Sequence, residues 1–181
     1  MLLLTERPIA LFHLIAAQAA DLPQIEALLD AGFGPARRNR TAYRLRDGVA
    51  ADPALSFVAR DGDAIIGSLQ CWPLQLRSVA GAKSPLVLLG PVVTVADRQG
   101  EGIASALMTR ALAAVDAANA PPVLLIGDEP FYGRFGFSAA ATAGWHLPGP
   151  VARERLLLRG DAAALPHTGW VEPAAPARRA A

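Results

Sequence analysis

The sequence predicts a single mixed α/β domain, in which early strands pair antiparallel and later strands form a parallel pair around a helix. Three observations support this prediction. An apolar run, a glycine turn and a long amphipathic segment follow one another over residues 86–119. Residues 123–126 then form a second apolar run, which completes a strand–helix–strand order. Earlier in the chain, Asp61-Gly62-Asp63 separates two β-like runs, as in an antiparallel hairpin.

The composition limits the classes of partner. The 181 residues are 52% hydrophobic and carry a net charge of +1, which indicates a globular protein without general attraction for nucleic acid. No apolar run approaches the length of a membrane span. Cys71 is the only cysteine, so no intramolecular disulfide can form. We expect a cytoplasmic protein with a domain over residues 1–171 and a flexible Ala/Pro/Arg tail over residues 172–181.

The first elements follow from local patterns. Residues 11–17 are predicted as an opening strand, although Arg7 and the apolar residues after it also resemble a signal peptide with a cleavage-like site at residues 17–19. Apolar residues at helical spacing predict a helix over residues 22–29, with Asp21 as its cap. Strands are then predicted over residues 55–60 and 64–72, and a turn over residues 81–84. At the end of the second strand, Cys71 and Trp72 are interpreted as packing residues.

Between the first helix and the hairpin lies a cluster of arginines, part of which is predicted to form a short helix over residues 41–46. The cluster contains Arg37, Arg38, Arg40, Arg44 and Arg46. Such a cluster could bind nucleic acid or an acidic substrate. The balanced total charge favours the alternative, in which these arginines form a solvated surface and pair with nearby acids.

The central strand contains Gly90-Pro91, which interrupts regular pairing because proline has no N–H to donate. We therefore expect an opening between this strand and a neighbour. Residues 92–95 lead into a turn with Gly100 and Gly102, and then into a helix with a continuous apolar stripe. That helix has no Ser, Thr, Asp or Asn at an obvious cap position, which leaves its first N–H groups free for an anion such as phosphate.

Two motifs in this region resemble those of the GCN5-related N-acetyltransferase (GNAT) superfamily. Residues 99–104, QGEGIA, are similar to the family's Gln/Arg-x-x-Gly-x-Gly/Ala signature. Residues 131–137, FYGRFGF, are similar to its Tyr-x-x-x-Gly-Phe element, and GDEPFYGRFGF further resembles the YhbS-like branch of predicted acetyltransferases. The turn lacks the third glycine of a Rossmann fingerprint and the lysine of a Walker motif.

The resemblance implies a GNAT fold, with a single mixed sheet whose central strands splay around a βαβ cofactor site. It implies acetyl-CoA as cosubstrate and an amine on a small molecule or peptide as acceptor. Pantetheine would contact the backbone of Val93 and Val95. Pyrophosphate would contact the backbone of the glycine turn, at Gln99, Gly100, Gly102, Ile103 and Ala104.

The resemblance also implies catalytic roles. Tyr132 matches the tyrosine that protonates the departing thiolate, and the backbone N–H near Val93 would stabilise the oxyanion. The general base is open, because the strand before the turn carries no carboxylate. Asp128 and Glu129 are candidates to orient water or to cap the next helix, and His146 is a candidate for the acceptor pocket.

No metal-ligand spacing is present, and no metal is expected. The absent carboxylate keeps open an alternative function as a non-catalytic CoA-binding or acyl-CoA-binding regulatory module. A homodimer is possible. Towards the end of the chain, residues 154–159 are predicted as a strand and residues 169–171 as a short edge strand.

Overall fold

The computed structural model describes residues 11–174, which form one mixed sheet with helices packed against it. The strands are His13–Ala16 (β1), Phe57–Asp61 (β2), Ala64–Ser78 (β3), Lys83–Thr94 (β4), Val123–Ile126 (β5), Gly144–His146 (β6), Leu156–Arg159 (β7) and Thr168–Pro173 (β8). The α-helices are Leu22–Phe33 (α1), Thr41–Arg44 (α2), Ile103–Ala117 (α3) and Glu129–Tyr132 (α4).

The sheet has the order β1-β2-β3-β4-β5-β7, and β8 pairs with both β3 and β6. Strand β3 is its centre, because β2 and β8 share one of its edges and β4 occupies the other. The β2–β3 hairpin is antiparallel, whereas β4 and β5 are parallel and are connected through α3. The predicted mixed α/β class, the hairpin and the βαβ unit are therefore confirmed.

The hairpin formed by β3 and β4 is longer than the sequence predicted. Strand β3 continues to Ser78 rather than Trp72, and β4 begins at Lys83, so the turn occupies residues 79–82. The additional length is stabilised by β8, where Glu172 accepts a hydrogen bond from Gln75 at 2.9 Å. This partner lies far away in the chain, so local patterns did not indicate it. Strand β8 also extends two residues past the predicted domain boundary at residue 171.

The core lies on both faces of the sheet. On one face, α3 buries the predicted stripe, which includes Leu107, Met108 and Ala111. Trp145 is the largest buried side chain on the other face, where it packs among leucines. Cys71 is buried beneath α3, and burial raises the pKa of its thiol to about 12. The thiol therefore stays neutral, in agreement with its predicted packing role.

Helix α1 extends to Phe33, four residues beyond its predicted end. Asp21 precedes the helix, but its carboxylate makes no capping bond to α1. It instead accepts a hydrogen bond from the backbone N–H of Gln18 at 3.0 Å and forms an ion pair with Arg60 at 2.5 Å. Asp21 thus occupies the predicted cap position of α1, but its side chain does not cap the helix because Gln18 and Arg60 engage its carboxylate. Within residues 11–174, no helix has the length and apolarity needed to cross a membrane.

Candidate active site

Strand β4 contains a β-bulge at Gly90-Pro91. These two residues together oppose the single residue Gln70 of β3. On its other edge, β4 pairs with β5 only at residues 87–88. Because the bulge bends β4, the two strands separate beyond this point. The opening predicted from Gly90-Pro91 is therefore present.

The space between the separated strands is a cavity of about 550 Å³, which we call the strand cavity. Residues 88–92 of β4 and residues 125–128 line it on either side. Side chains from residues 33–46 and from residues 150–155 line the rest, and Tyr132 contributes to the wall. The strand cavity is thus built from distant parts of the chain.

A second cavity of about 350 Å³ lies at the start of α3, and we call it the turn cavity. It is lined by Thr94, Arg98, Gln99, Gly100, Gly102, Ile103, Ala104, Ser105, Phe131 and Arg134. The lining includes all five residues of the predicted pyrophosphate turn.

The N-terminus of α3 presents free donors to the turn cavity. Gly102 occupies the cap position with a φ of 82°, a left-handed conformation that glycine adopts easily, and no side chain caps the helix. The first helical hydrogen bond runs from Ala106 N–H to the Gly102 carbonyl at 2.9 Å. The N–H groups of residues 103–105 therefore have no helical acceptor, as the sequence predicted.

The two cavities lie along the same two elements. On β4, Val92 lines the strand cavity and Thr94 lines the turn cavity. On α4, Tyr132 lines the strand cavity and Phe131 lines the turn cavity. A ligand lying along β4 would therefore extend from the N-terminus of α3 to Tyr132 of α4.

The predicted backbone contacts at Val93 and Val95 need correction. The Val95 N–H donates to the Ile66 carbonyl at 3.0 Å, so it is not free for a ligand. Ladder bonds alternate along an antiparallel pair, which turns Val93 towards β3 as well. By the same alternation, the backbone groups of Val92 and Thr94 face the opening.

The bulge is the physical reason for this displacement by one residue. Before the bulge, the Val87 N–H points away from β3 and donates to the Pro122 carbonyl at 3.0 Å. Counting in steps of two from Val87 would place Val93 and Val95 on the open edge. The additional residue in the bulge reverses the alternation.

Tyr132 lies in an aromatic cluster at the boundary of the two cavities. Its ring is perpendicular to Phe131, with ring centroids 4.8 Å apart. Burial raises the pKa of the Tyr132 hydroxyl above 10.0, the charge of Asp128 raises it further, and Arg155 opposes the shift. Within residues 11–174 the hydroxyl has no hydrogen-bond partner inside the protein. At neutral pH it is a protonated donor available to a ligand.

The other polar candidates occupy different places. Asp128 lines the strand cavity and pairs with Arg155 at 3.0 Å, but its side chain does not cap α4. Glu129 is exposed and lines neither cavity. His146 is exposed on β6, where it stacks on Trp170 with ring centroids 5.6 Å apart, and it lines neither cavity. The acceptor-pocket role considered for His146 is therefore not supported by its position.

Comparison with known families identifies the fold around these cavities. Residues 13–140 match the family model of the acetyltransferase (GNAT) domain. The chain belongs to the GNAT family. The GNAT protein YhbS from Escherichia coli, solved with CoA, has a TM-score of 0.71 and 26% identity, over 90% of this chain and 89% of that one. A GNAT acetyltransferase from Brucella melitensis, solved with acetyl-CoA, has a TM-score of 0.58 and 27% identity, over 84% of this chain and 97% of that one.

A sequence relative in Streptomyces avermitilis is an uncharacterised N-acetyltransferase. It is 29% identical over 89 residues, which are 49% of this chain and 21% of that protein. The chain thus matches only about a fifth of that relative's length.

Sequence reasoning overlooked two charged residues beside the GNAT turn, Arg98 and Arg134, of which Arg98 is paired with Asp61 and Glu101. Arg134 lines the turn cavity and donates to Ser105 Oγ at 2.8 Å. Its guanidinium carbon lies 4.2 Å from the centroid of the Phe131 ring. An arginine between two phenylalanines of the FYGRFGF element was the available signal, because aromatic rings hold a guanidinium in place.

The arginine cluster of this GNAT chain divides into paired and unpaired members. Arg37 and Arg38 both form ion pairs with Glu26 and Asp30. Pairing with nearby acids is therefore confirmed for these two, but Arg37 is buried rather than solvated. Arg46 is also buried, and it lines the strand cavity without an acidic partner among the described residues.

Within residues 11–174, no three His, Cys, Asp or Glu side chains are grouped as metal ligands.

Proposed function

We propose that the chain is an acetyl-CoA-dependent N-acetyltransferase that acetylates an amine by direct attack, with Tyr132 as general acid. The observation that carries this proposal is that two cavities follow one another along β4 and α4, with free helix N–H groups in one and Tyr132 in the wall of the other. The CoA and acetyl-CoA held by the YhbS and Brucella melitensis structures support the same assignment.

The cosubstrate would lie along β4. Pyrophosphate fits the N–H groups at the start of α3, where the helix dipole favours an anion by about 0.3–1 kcal/mol. Gly100 and Gly102 allow close approach, and Arg134 adds a positive charge. Pantetheine amides would pair with the backbone of Val92 and Thr94 in place of the predicted Val93 and Val95. Gln99, Ile103 and Ala104 complete the pyrophosphate site.

Acetyl-CoA supplies the acetyl group as a thioester, and the residues of this chain assist its transfer. The backbone N–H of Val92, rather than that of Val93, faces the opening and would stabilise developing negative charge on the carbonyl oxygen. As the carbon–sulfur bond breaks, Tyr132 would donate its proton to the sulfur. Asp128, paired with Arg155, would orient the water that accepts the proton from the amine.

Calorimetry with acetyl-CoA and release of free CoA over a broad panel of amines test this function. Tyr132→Phe should keep the affinity for acetyl-CoA and lower kcat by about 10²-fold. Failure of the wild-type protein to bind acetyl-CoA, or to release CoA with any amine, would remove the proposal.

A non-catalytic CoA-binding module is the second candidate, because strand β4 carries no carboxylate side chain. In that case the wild-type protein binds CoA and has no turnover for Tyr132→Phe to reduce. A homodimer and a cytoplasmic location stay predictions from the sequence.

A further inference from the structure

Arg46 is a buried guanidinium in the wall of the strand cavity. The residue is 9% exposed, and its guanidinium carbon lies 3.8 Å from the centroid of the Tyr43 ring. Its Nε donates to the Ala42 carbonyl at 3.1 Å. No carboxylate of these residues lies within ion-pair distance of it.

Most other charged residues of the cavity wall form ion pairs or are exposed to solvent. Arg37 pairs with Glu26 and Asp30, and Arg155 pairs with Asp128. Arg40 is exposed and lies over the Phe33 ring, 5.3 Å from its centroid. Arg46 is therefore the buried charge of the cavity wall that forms no ion pair within residues 11–174.

Burying a charged group without an ion-pair partner costs free energy, so the position of Arg46 predicts that an anion binds beside it in the cavity. Burial lowers the pKa of the Arg46 guanidinium, and the nearby Tyr43 and Glu26 oppose that shift only in part. An anion in the cavity would offset that cost. The nearby indole nitrogen of Trp72 is also buried and has no acceptor among the described residues. Trp72 does not line the strand cavity, so Arg46 is the donor that a ligand in the cavity can reach.

The geometry of Arg46 favours a carboxylate among possible anions. A guanidinium stacked on an aromatic ring keeps its in-plane N–H groups free, and two of them match the two oxygens of a carboxylate. Much of the remaining wall is apolar, with Leu88, Pro91, Ile126 and Val151 lining it. The space suits a compact molecule with an apolar body and a charged end.

We propose that the acceptor is an amino carboxylic acid, whose carboxylate binds Arg46 and whose amine faces Tyr132. This inference rests on the proposed function, since it places the acceptor in the strand cavity. It narrows the substrate class from any amine to amines that carry a carboxylate.

The test compares acceptors that differ only in the carboxylate, namely 4-aminobutyrate with butylamine and phenylalanine with phenethylamine. We expect the wild-type enzyme to favour at least one carboxylate member by about 10- to 100-fold in kcat/KM. Arg46→Gln should abolish that preference, mainly through KM. Arg46→Lys should restore part of it, because lysine keeps the charge but not the paired donors.

Arg44→Gln is the matched control. Arg44 belongs to the same cluster but lies outside the strand cavity and donates to the Pro148 carbonyl at 2.8 Å. This variant should retain the wild-type preference. Thermal unfolding and acetyl-CoA calorimetry on each variant separate loss of fold from loss of acceptor binding. Should Arg46→Gln fail to fold, the wild-type preference and the Arg46→Lys variant decide the question.

The outcomes distinguish the two proposals. A wild-type protein that does not bind acetyl-CoA or does not acetylate any amine contradicts the proposed function. If it acetylates amines but accepts no carboxylate member, or accepts both members of each pair equally, only the inference about the acceptor is overturned. A preference for phosphoethanolamine over ethanolamine without any for carboxylates would also overturn it, in favour of a phosphate.

Discussion

The ring of Tyr132 lies against Gly127, so closely that a Cβ at residue 127 would be 2.6 Å from Tyr132 Cδ2. The same Cβ would be 3.0 Å from Leu125 Cδ1. Gly127 directly follows β5, and its missing side chain is the space that the tyrosine ring occupies. The ring of the candidate general acid can therefore take this position because the residue directly after β5 is a glycine.

Gly127→Ala should lower kcat by about tenfold or more, because the added methyl displaces the Tyr132 ring from the cavity wall. The affinity for acetyl-CoA should change little. Gly133→Ala is the control, since a Cβ there meets only Glu129 Cγ at an ordinary 3.7 Å. Steady-state kinetics of both variants provide the measurement, and equal activity in the two would contradict the packing argument.

The titration of Tyr132 gives a prediction about pH. A tyrosine acts as an acid only while protonated, so a raised pKa extends its activity to higher pH. The ratio of wild-type kcat to that of Tyr132→Phe should stay constant through neutral and mildly alkaline pH and fall only at a pH higher than an ordinary tyrosine would give. Asp128→Asn removes a charge that raises the pKa, and the fall should then begin at lower pH. Ultraviolet absorbance of tyrosinate checks the same order without turnover, and an unchanged titration in Asp128→Asn would refute it.

Arg134→Gln should raise the Kd for acetyl-CoA by about three- to tenfold, because a charge beside the pyrophosphate is lost. The effect should shrink at high salt. Arg110→Gln is the control, as Arg110 is exposed on α3 and packs over Phe57, 4.3 Å from its ring centroid. S-acetylpantetheine, which has no pyrophosphate, should bind both variants equally well. An equal loss for that ligand would assign Arg134 a merely structural role.

The ion pairs of Arg37 predict that removing its acidic partners lowers the free energy of unfolding more than removing Arg38. The side chain of Arg37 is 1% exposed, whereas those of Glu26 and Asp30 are 47% and 38% exposed. Replacing both acids with Gln and Asn leaves a buried charge and should cost about 2–3 kcal/mol of unfolding free energy. Arg38→Gln removes a half-exposed partner of the same acids and should cost at most about 0.5 kcal/mol. Urea unfolding measures both, and similar losses would show that burial of Arg37 is unimportant.

Local patterns predicted the βαβ unit and the hairpin, because each depends on neighbouring residues. The stripe on α3 and the Asp-Gly turn are examples. The longer β3 and the strand β6 were not predicted, since both depend on β8. A strand stabilised by pairing with a distant segment needs little apolar alternation of its own.

Local patterns likewise predicted some residues of the candidate site and missed others. Residues of the glycine turn and Tyr132 line the cavities as the motifs indicated. Val93 and Val95 were misplaced because the reversal at the bulge depends on pairing with β3, which composition does not reveal. Arg46 was noticed only as one of five arginines, because its burial beside Tyr43 depends on tertiary packing.

The separation of β4 from β5 also bears on solubility. A strand edge with free N–H and C=O groups normally invites another polypeptide to pair with it, which leads to aggregation. Here the unpaired length of β4 lines the two cavities, whose other walls come from α4 and from residues 33–46, so a second chain has little room to pair with it. The free backbone groups of β4 can therefore pair with a narrow molecule that carries amide groups, but not with a strand of another protein.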